Sequence, residues 1–219
     1  MKKVTVLMMA FVLVFLAHAQ LAHAQAVLTL NDGLGHSVSV TDNGSGDTNP
    51  LVGAIYWSGT LGNWTLAASL GQSQPLLVAP NLLDLNVSGT TSNSGSGSNT
   101  LTSTVSDSGF GPYNQPLALE LSYGGTLDGT GSFTLLDNST AIANFSLNAG
   151  AVHGSAIAYL PSLASTDVLE LETVLTQGNN LSSTGDEKAR VPEPSTLLLL
   201  GAALLTFAVV RTKLAKHGA

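Results

Sequence analysis

Carboxylates are the residues of this chain best placed, by type and spacing, to do chemistry. Hydrolysis of a glycosidic bond needs two of them on either side of it, roughly 5–10 Å apart. Glu120, Glu170 and Glu172 all fall on segments that read as strands. Glu170 and Glu172, at spacing two among Val168, Leu169 and Leu171, share one face of such a strand. Solvated, outward-facing acids explain all three more simply. Acyl transfer instead needs a base beside a nucleophile. The body of the chain offers His36 and His153 and many serines, but no Gly-x-Ser-x-Gly elbow opens a helix after a strand. Ser94-Gly95-Ser96-Gly97 is loop repetition. Both histidines read as ordinary strand residues, and no enzymatic activity is expected.

Metal chemistry has one candidate. Thr41-Asp42-Asn43-Gly44-Ser45-Gly46-Asp47-Thr48-Asn49 places oxygen side chains at short intervals in a glycine-rich loop. Calcium takes about six to eight oxygens, so Asp42 and Asp47 are its expected ligands here. The competing reading is an Asx-rich turn, in which Asn and Asp bond their own backbone. The EF-hand template does not fit, since its helices and terminal bidentate Glu are missing. No His/Cys set supports zinc, and no other cofactor is expected.

The segments that must position these residues read as β throughout. Short runs alternate apolar and polar residues, Gly, Ser, Thr and Asn crowd the connections, and no segment keeps a helical apolar period. Residues 27–30 and 36–41 flank Asp32-Gly33, a hairpin signal. Runs at 51–57, 63–70 and 81–87 follow, the last with Leu83, Leu85 and Val87 on one face. Residues 89–99 form a polar loop. Leu117, Leu119, Leu121 and Tyr123 make the cleanest alternation, and runs at 101–107, 130–136, 141–147, 151–160 and 166–176 complete the set. About ten strands with regular turns predict an antiparallel sandwich or jelly roll. Residues 177–190, polar and carrying Gly178 and Gly185, read as a flexible linker. The ectodomain is thus expected over 25–176.

Charge narrows the partners. The chain has a net charge of −7 and no cysteine, so an exported domain would stand without disulfides. Between Lys3 and Lys188 there is no Lys or Arg, while Asp32 to Glu187 supplies 13 carboxylates. Nucleic-acid binding draws on cations that displace phosphate counterions. This body has none to offer, so nucleic acid is excluded as a partner, and anionic lipid and phosphorylated substrates are disfavoured.

Both ends are targeting segments. Lys2 and Lys3, an apolar run over 4–17 and small residues beyond it form an export signal. Leu-Ala-His-Ala-Gln occurs at 16–20 and again at 21–25, offering cleavage after Ala19 or, as favoured here, after Ala24. At the other end, residues 197–210 are uncharged and almost wholly apolar, and Arg211, Lys213 and Lys216 follow. Ser195 to Val210 as a helix would measure roughly 24 Å, slightly under a ~30 Å bilayer core, and the cations would stop transfer on the cytoplasmic side. Pro192 and Pro194 keep the stretch before it extended.

Val191-Pro192-Glu193-Pro194-Ser195-Thr196, the apolar run and the basic end together resemble the PEP-CTERM sorting signal of Gram-negative bacteria. The basic end is more dispersed than the arginine cluster common in that class. The resemblance covers 191–219 and implies recognition of Pro192-Glu193-Pro194 by an exosortase-type enzyme, transient inner-membrane anchoring and an extracellular polysaccharide or biofilm setting. The segment from Leu83 to Phe110 also resembles a β-rich ectodomain common among such proteins, which brings no activity with it. Three functions are then in play: a structural or adhesive surface protein, a lectin-like carbohydrate-binding module with a cleft lined by Trp57, Trp64 or Tyr113, and a glycosidase. The first is the expectation.

Overall fold

The computed structural model describes residues 25–77, 81–92 and 97–192. The export signal and the C-terminal apolar segment, both expected to be helical, lie outside them. Among the described residues no helix is long and apolar enough to cross a membrane.

Among the described residues twelve strands form, all paired antiparallel. They are β1 (Val27–Asn31), β2 (Ser37–Thr41), β3 (Ala54–Leu61), β4 (Trp64–Gln72), β5 (Asn81–Thr91), β6 (Asn99–Ser108), β7 (Leu117–Leu127), β8 (Thr130–Asp137), β9 (Thr140–Leu147), β10 (Gly150–Leu160), β11 (Val168–Gln177) and β12 (Ser182–Arg190). Sheet A runs β2-β1-β6-β11-β8-β9 and sheet B runs β10-β7-β12-β5-β4-β3. Within this order β5-β12-β7-β10 lies against β6-β11-β8-β9, and the chain changes sheet at every step from β5 to β12 except the β8–β9 hairpin. That is the strand arrangement of an eight-stranded jelly roll, widened by β1–β2 on one sheet and β3–β4 on the other.

Alternation explains why these segments pair as they do. In β6 Leu101, Ser103, Val105 and Asp107 turn inward while Thr100, Thr102, Thr104 and Ser106 face out. In β11 Leu169, Leu171, Thr173 and Leu175 are buried in the same way, so the run at 166–176 is strand. One apolar core lies between the sheets, with Leu28, Leu85, Leu119, Leu121, Phe133 and Leu171 wholly buried. Tyr123 stacks on Phe133 at 3.9 Å between ring centroids, and Phe145 tilts against Phe133 at 5.3 Å.

The expected linker over 177–190 is corrected by the fold. Residues 182–190 are β12, a central strand hydrogen-bonded to β5 on one side and β7 on the other. Its polarity misleads because its inward positions are Ser183, Gly185, Glu187 and Ala189. Gly185 has no room for a side chain, because a Cβ there would run into the Tyr123 hydroxyl. The ectodomain therefore ends at the sorting segment itself, and Val191 is half-buried against the core.

Candidate functional site: the C-terminal exit and the two outer faces

The chain leaves the sandwich from the middle of sheet B. Arg190 closes β12, opposite Asn81 of β5 and Glu120 of β7. Its Nε donates to Glu120 Oε2 at 2.9 Å. Val191 and Pro192 are half-buried just beyond. Glu193, Pro194, Ser195, Thr196 and the stop-transfer cations Arg211, Lys213 and Lys216 lie outside the described residues.

Beside this exit, the outer face of sheet B gathers the charges that sequence order scatters. Lys188 Nζ sits 3.0 Å from Asp84 Oδ2 and 2.7 Å from Asp186 Oδ2. Partial burial, reinforced by the neighbouring Asp186, pushes the Asp84 carboxyl up to about 7, while Lys188 opposes the shift. The hydrogen bond that Lys188 donates to Asp186 raises Lys188 in turn. Lys188 and Arg190 are the two basic residues between Lys3 and Arg211, and both are committed to carboxylates on this face. The cluster was not legible in the sequence because Asp84 and Lys188 meet only through β5–β12 pairing.

The outer face of sheet A is a hydroxyl surface. Ser39, Thr29, Thr104, Glu172, Thr134 and Asn144 fall in one row across six strands. At about 4.8 Å per strand the row is roughly 24 Å long. Glu170 lies two residues along from Glu172, and its carboxyl is raised by partial burial and then by that neighbour.

Glu170 and Glu172 share a face, as their spacing implies, but Glu120 is on the outer face of the opposite sheet and cannot converge with them. His36 is an exposed turn residue whose Nδ1 lies 2.6 Å from Asp32 Oδ2. Asp32 also accepts the Leu34 and His36 amides at 2.8 and 3.0 Å. Burial works to raise its carboxyl, yet these bonds prevail and hold it below the usual range. His153 is exposed on edge strand β10.

The Asp42–Asp47 loop is built on backbone amides. Asp42 Oδ2 accepts Gly53 N–H at 2.8 Å and Oδ1 accepts the Asn43 side-chain amide at 3.0 Å. Asp47 Oδ1 accepts from Asn49 and Tyr56 at 2.8 and 3.0 Å, and its Oδ2 from Asn43 at 2.9 Å. Among the described residues no three His, Asp or Glu gather as a metal would need. The aromatic residues expected to line a cleft are apart. Trp64 is a core residue whose Nε1 donates to Thr100 O at 3.1 Å. Trp57 is half-buried over Gly59, and Tyr113 lies in a loop bridged to Leu163.

The model of the PEP-CTERM protein-sorting motif matches residues 190–211. The chain carries a PEP-CTERM sorting signal. The match begins on the last residue of β12, so the PEP-CTERM segment is continuous with the central strand of sheet B. No curated protein matches the chain.

Among solved structures, the TmCBM61 module in complex with beta-1,4-galactotriose is 5% identical, with 67% of this chain and 90% of that chain covered and a TM-score of 0.34. The family 11 carbohydrate-binding module from Clostridium thermocellum is 8% identical, covering 75% and 95% at a TM-score of 0.33. The CBM36 module in complex with calcium and xylotriose is 10% identical, covering 63% and 97% at 0.25.

Proposed function

We propose that this PEP-CTERM protein is exported, held for a time in the inner membrane by its C-terminal apolar segment, and processed by an exosortase-type enzyme. It then serves at the cell surface or in the extracellular matrix as a structural or adhesive sandwich without catalytic activity. The observation that carries this reading is the sorting signal joined to the last strand of a cysteine-free, acidic sandwich. A Pro-Glu-Pro sequence favours extended backbone, the form in which a cleft binds a peptide as an added strand. Glu193 is its single charge and so its recognition handle. Glu193→Ala is expected to block maturation while export and membrane insertion continue, leaving precursor with residues 195–219 attached. Mass spectrometry of the C-terminus reads the result; wild-type trimming of the variant would make the triplet a mere spacer.

A second reading, a lectin-like module for extracellular polysaccharide, is favoured by the row of Thr29, Thr104, Glu172 and Thr134. Hydroxyls and a carboxylate at strand spacing suit a polymer that is itself a row of hydroxyls. On this second reading the binding face would be the outer face of sheet A, away from Trp57, Trp64 and Tyr113. Retention on immobilised polysaccharide that Glu172→Ala abolishes would favour it over a purely structural role.

A further inference from the structure

We infer that the exit end of the sandwich rests on the bilayer interface while the precursor is anchored. This rests on the anchoring proposed above. Seven large apolar side chains are markedly exposed among the described residues. Six of them, Leu51, Val52, Leu76, Ile157, Tyr159 and Val168, lie at the end where β12 finishes; Leu34 alone lies at the other.

Strand register fixes that placement. Glu120 pairs with both Arg190 and Ile157, so Ile157 is level with Arg190, and Tyr159, two residues further, is level with Pro192. Ala54 pairs with Gln72, Gln72 with Asp84 and Asp84 with Lys188, which puts the turn at 51–53 at the same end. Leu76 belongs to the adjoining turn, its amide packed against Gly53. Val168 opens β11 opposite Ser108, where β6 finishes.

The apolar side chains therefore flank the exit on both sides. β10 is two strands from β12 and β3 is three strands away on the other side, offsets of roughly 10 and 14 Å. Tyr159 is 79% exposed, Ile157 55% and Leu51 55%, beyond what isolated surface apolar residues need explain when they cluster at one end.

What covers this rim follows from the chain beyond it. Pro192 to Leu197, where the apolar run starts, is five residue steps, at most about 18 Å when fully extended. A sandwich tied this closely to an inserted segment cannot hold its exit end far from the lipid. A rim of Leu, Val and Ile with an amphipathic Tyr suits the boundary between headgroups and acyl chains. Among the described residues the same end carries Asp47, Asp137 and Asp167 and no Lys or Arg beyond the paired Lys188 and Arg190, so the surface it fits is zwitterionic.

The test uses the full chain reconstituted into phosphatidylcholine vesicles. Because the protein has no cysteine, Ser162→Cys at the exit end and Leu34→Cys at the far end can each carry one polarity-sensitive label. With the protein sedimenting with vesicles, bromine-substituted lipid is expected to quench the label at 162 at least threefold more than that at 34. Changing Ile157, Tyr159 and Val52 together to Ser should remove most of the difference, with sedimentation and melting temperature unchanged. If the protein sediments but both labels are quenched alike, or the triple variant is quenched as the parent is, the rim does not dock and only the tether holds. A label at 162 shielded from water yet unquenched by lipid would mean the apolar segment folds back on the rim, which also overturns the proposal. Failure to sediment would remove the anchoring reading, and the docking with it.

Discussion

Glu187 Oε2 accepts a 2.5 Å hydrogen bond from Thr173 Oγ1, joining the central strand of sheet B to the central strand of sheet A through the core. Its Oε1 has no partner, and the residue is wholly buried. Burial pushes its carboxyl up to about 8, with the Thr173 bond opposing and Glu172 adding to the shift. Burial in the sandwich thus favours the protonated form of this acid.

Stability should therefore fall as pH rises from the unfolded value of 4.5 towards about 8. In that window the folded state retains a proton that the unfolded state has released, so raising pH favours unfolding. At about 1.4 kcal/mol per unit the loss is on the order of 5 kcal/mol. Glu187→Gln, which cannot ionise, should be the more stable protein at pH 8 and show a flatter profile. Denaturant unfolding of both proteins at pH 5 and pH 8 measures the difference; equal slopes would place the ionised carboxylate in a solvated site.

Gly185 reports on whether β12 is a core strand. A side chain there meets the Tyr123 ring and hydroxyl, so Gly185→Val should cost about 3 kcal/mol or more through overpacking. Removing residues 178–219 should abolish cooperative unfolding, because β5 and β7 then lose their shared neighbour. Thermal melts followed by circular dichroism decide it. A truncated chain that melts as sharply as the parent would restore the linker.

Asp47 joins the 41–49 loop to β3 through its bond from Tyr56 N–H. Asp47→Ala leaves amides of Asn43, Asn49 and Tyr56 without their acceptor and should cost about 1–3 kcal/mol. If the loop is only a turn, excess calcium and EDTA give the same melting temperature. A calcium-dependent rise, lost in the Ala variant, would establish the ion that the spacing of Asp42 and Asp47 invites.

Much of the fold was legible because apolar alternation declares itself. Leu117, Leu119, Leu121 and Tyr123 all point inward, as do Leu83, Leu85 and Val87, and Asp32-Gly33 does turn β1 into β2. Strands were obscured where burial is filled by small or hydrogen-bonded residues, as at Ser183, Gly185 and Glu187. A bulge between Leu66 and Ala68 shifts the register of β4, which alternation alone does not reveal. The run taken to begin at 51 starts pairing at Ala54, since Leu51 to Gly53 turn, with Ala54 N–H bonded to Leu51 O. Of the site, the sorting segment was readable as a linear motif. The Asp84–Lys188–Asp186 cluster and the apolar rim were not, because both are made by strand register.

The place of β12 also sets the timetable of maturation. Until residues 182–190 arrive, β5 and β7 have an open slot between them, and the sheet is complete only as the address label itself emerges. A chain cut short upstream loses the closing strand and the label together. A chain that bears the label has everything it needs to be whole. With processing as proposed, the arrangement would make delivery conditional on a chain long enough to close sheet B.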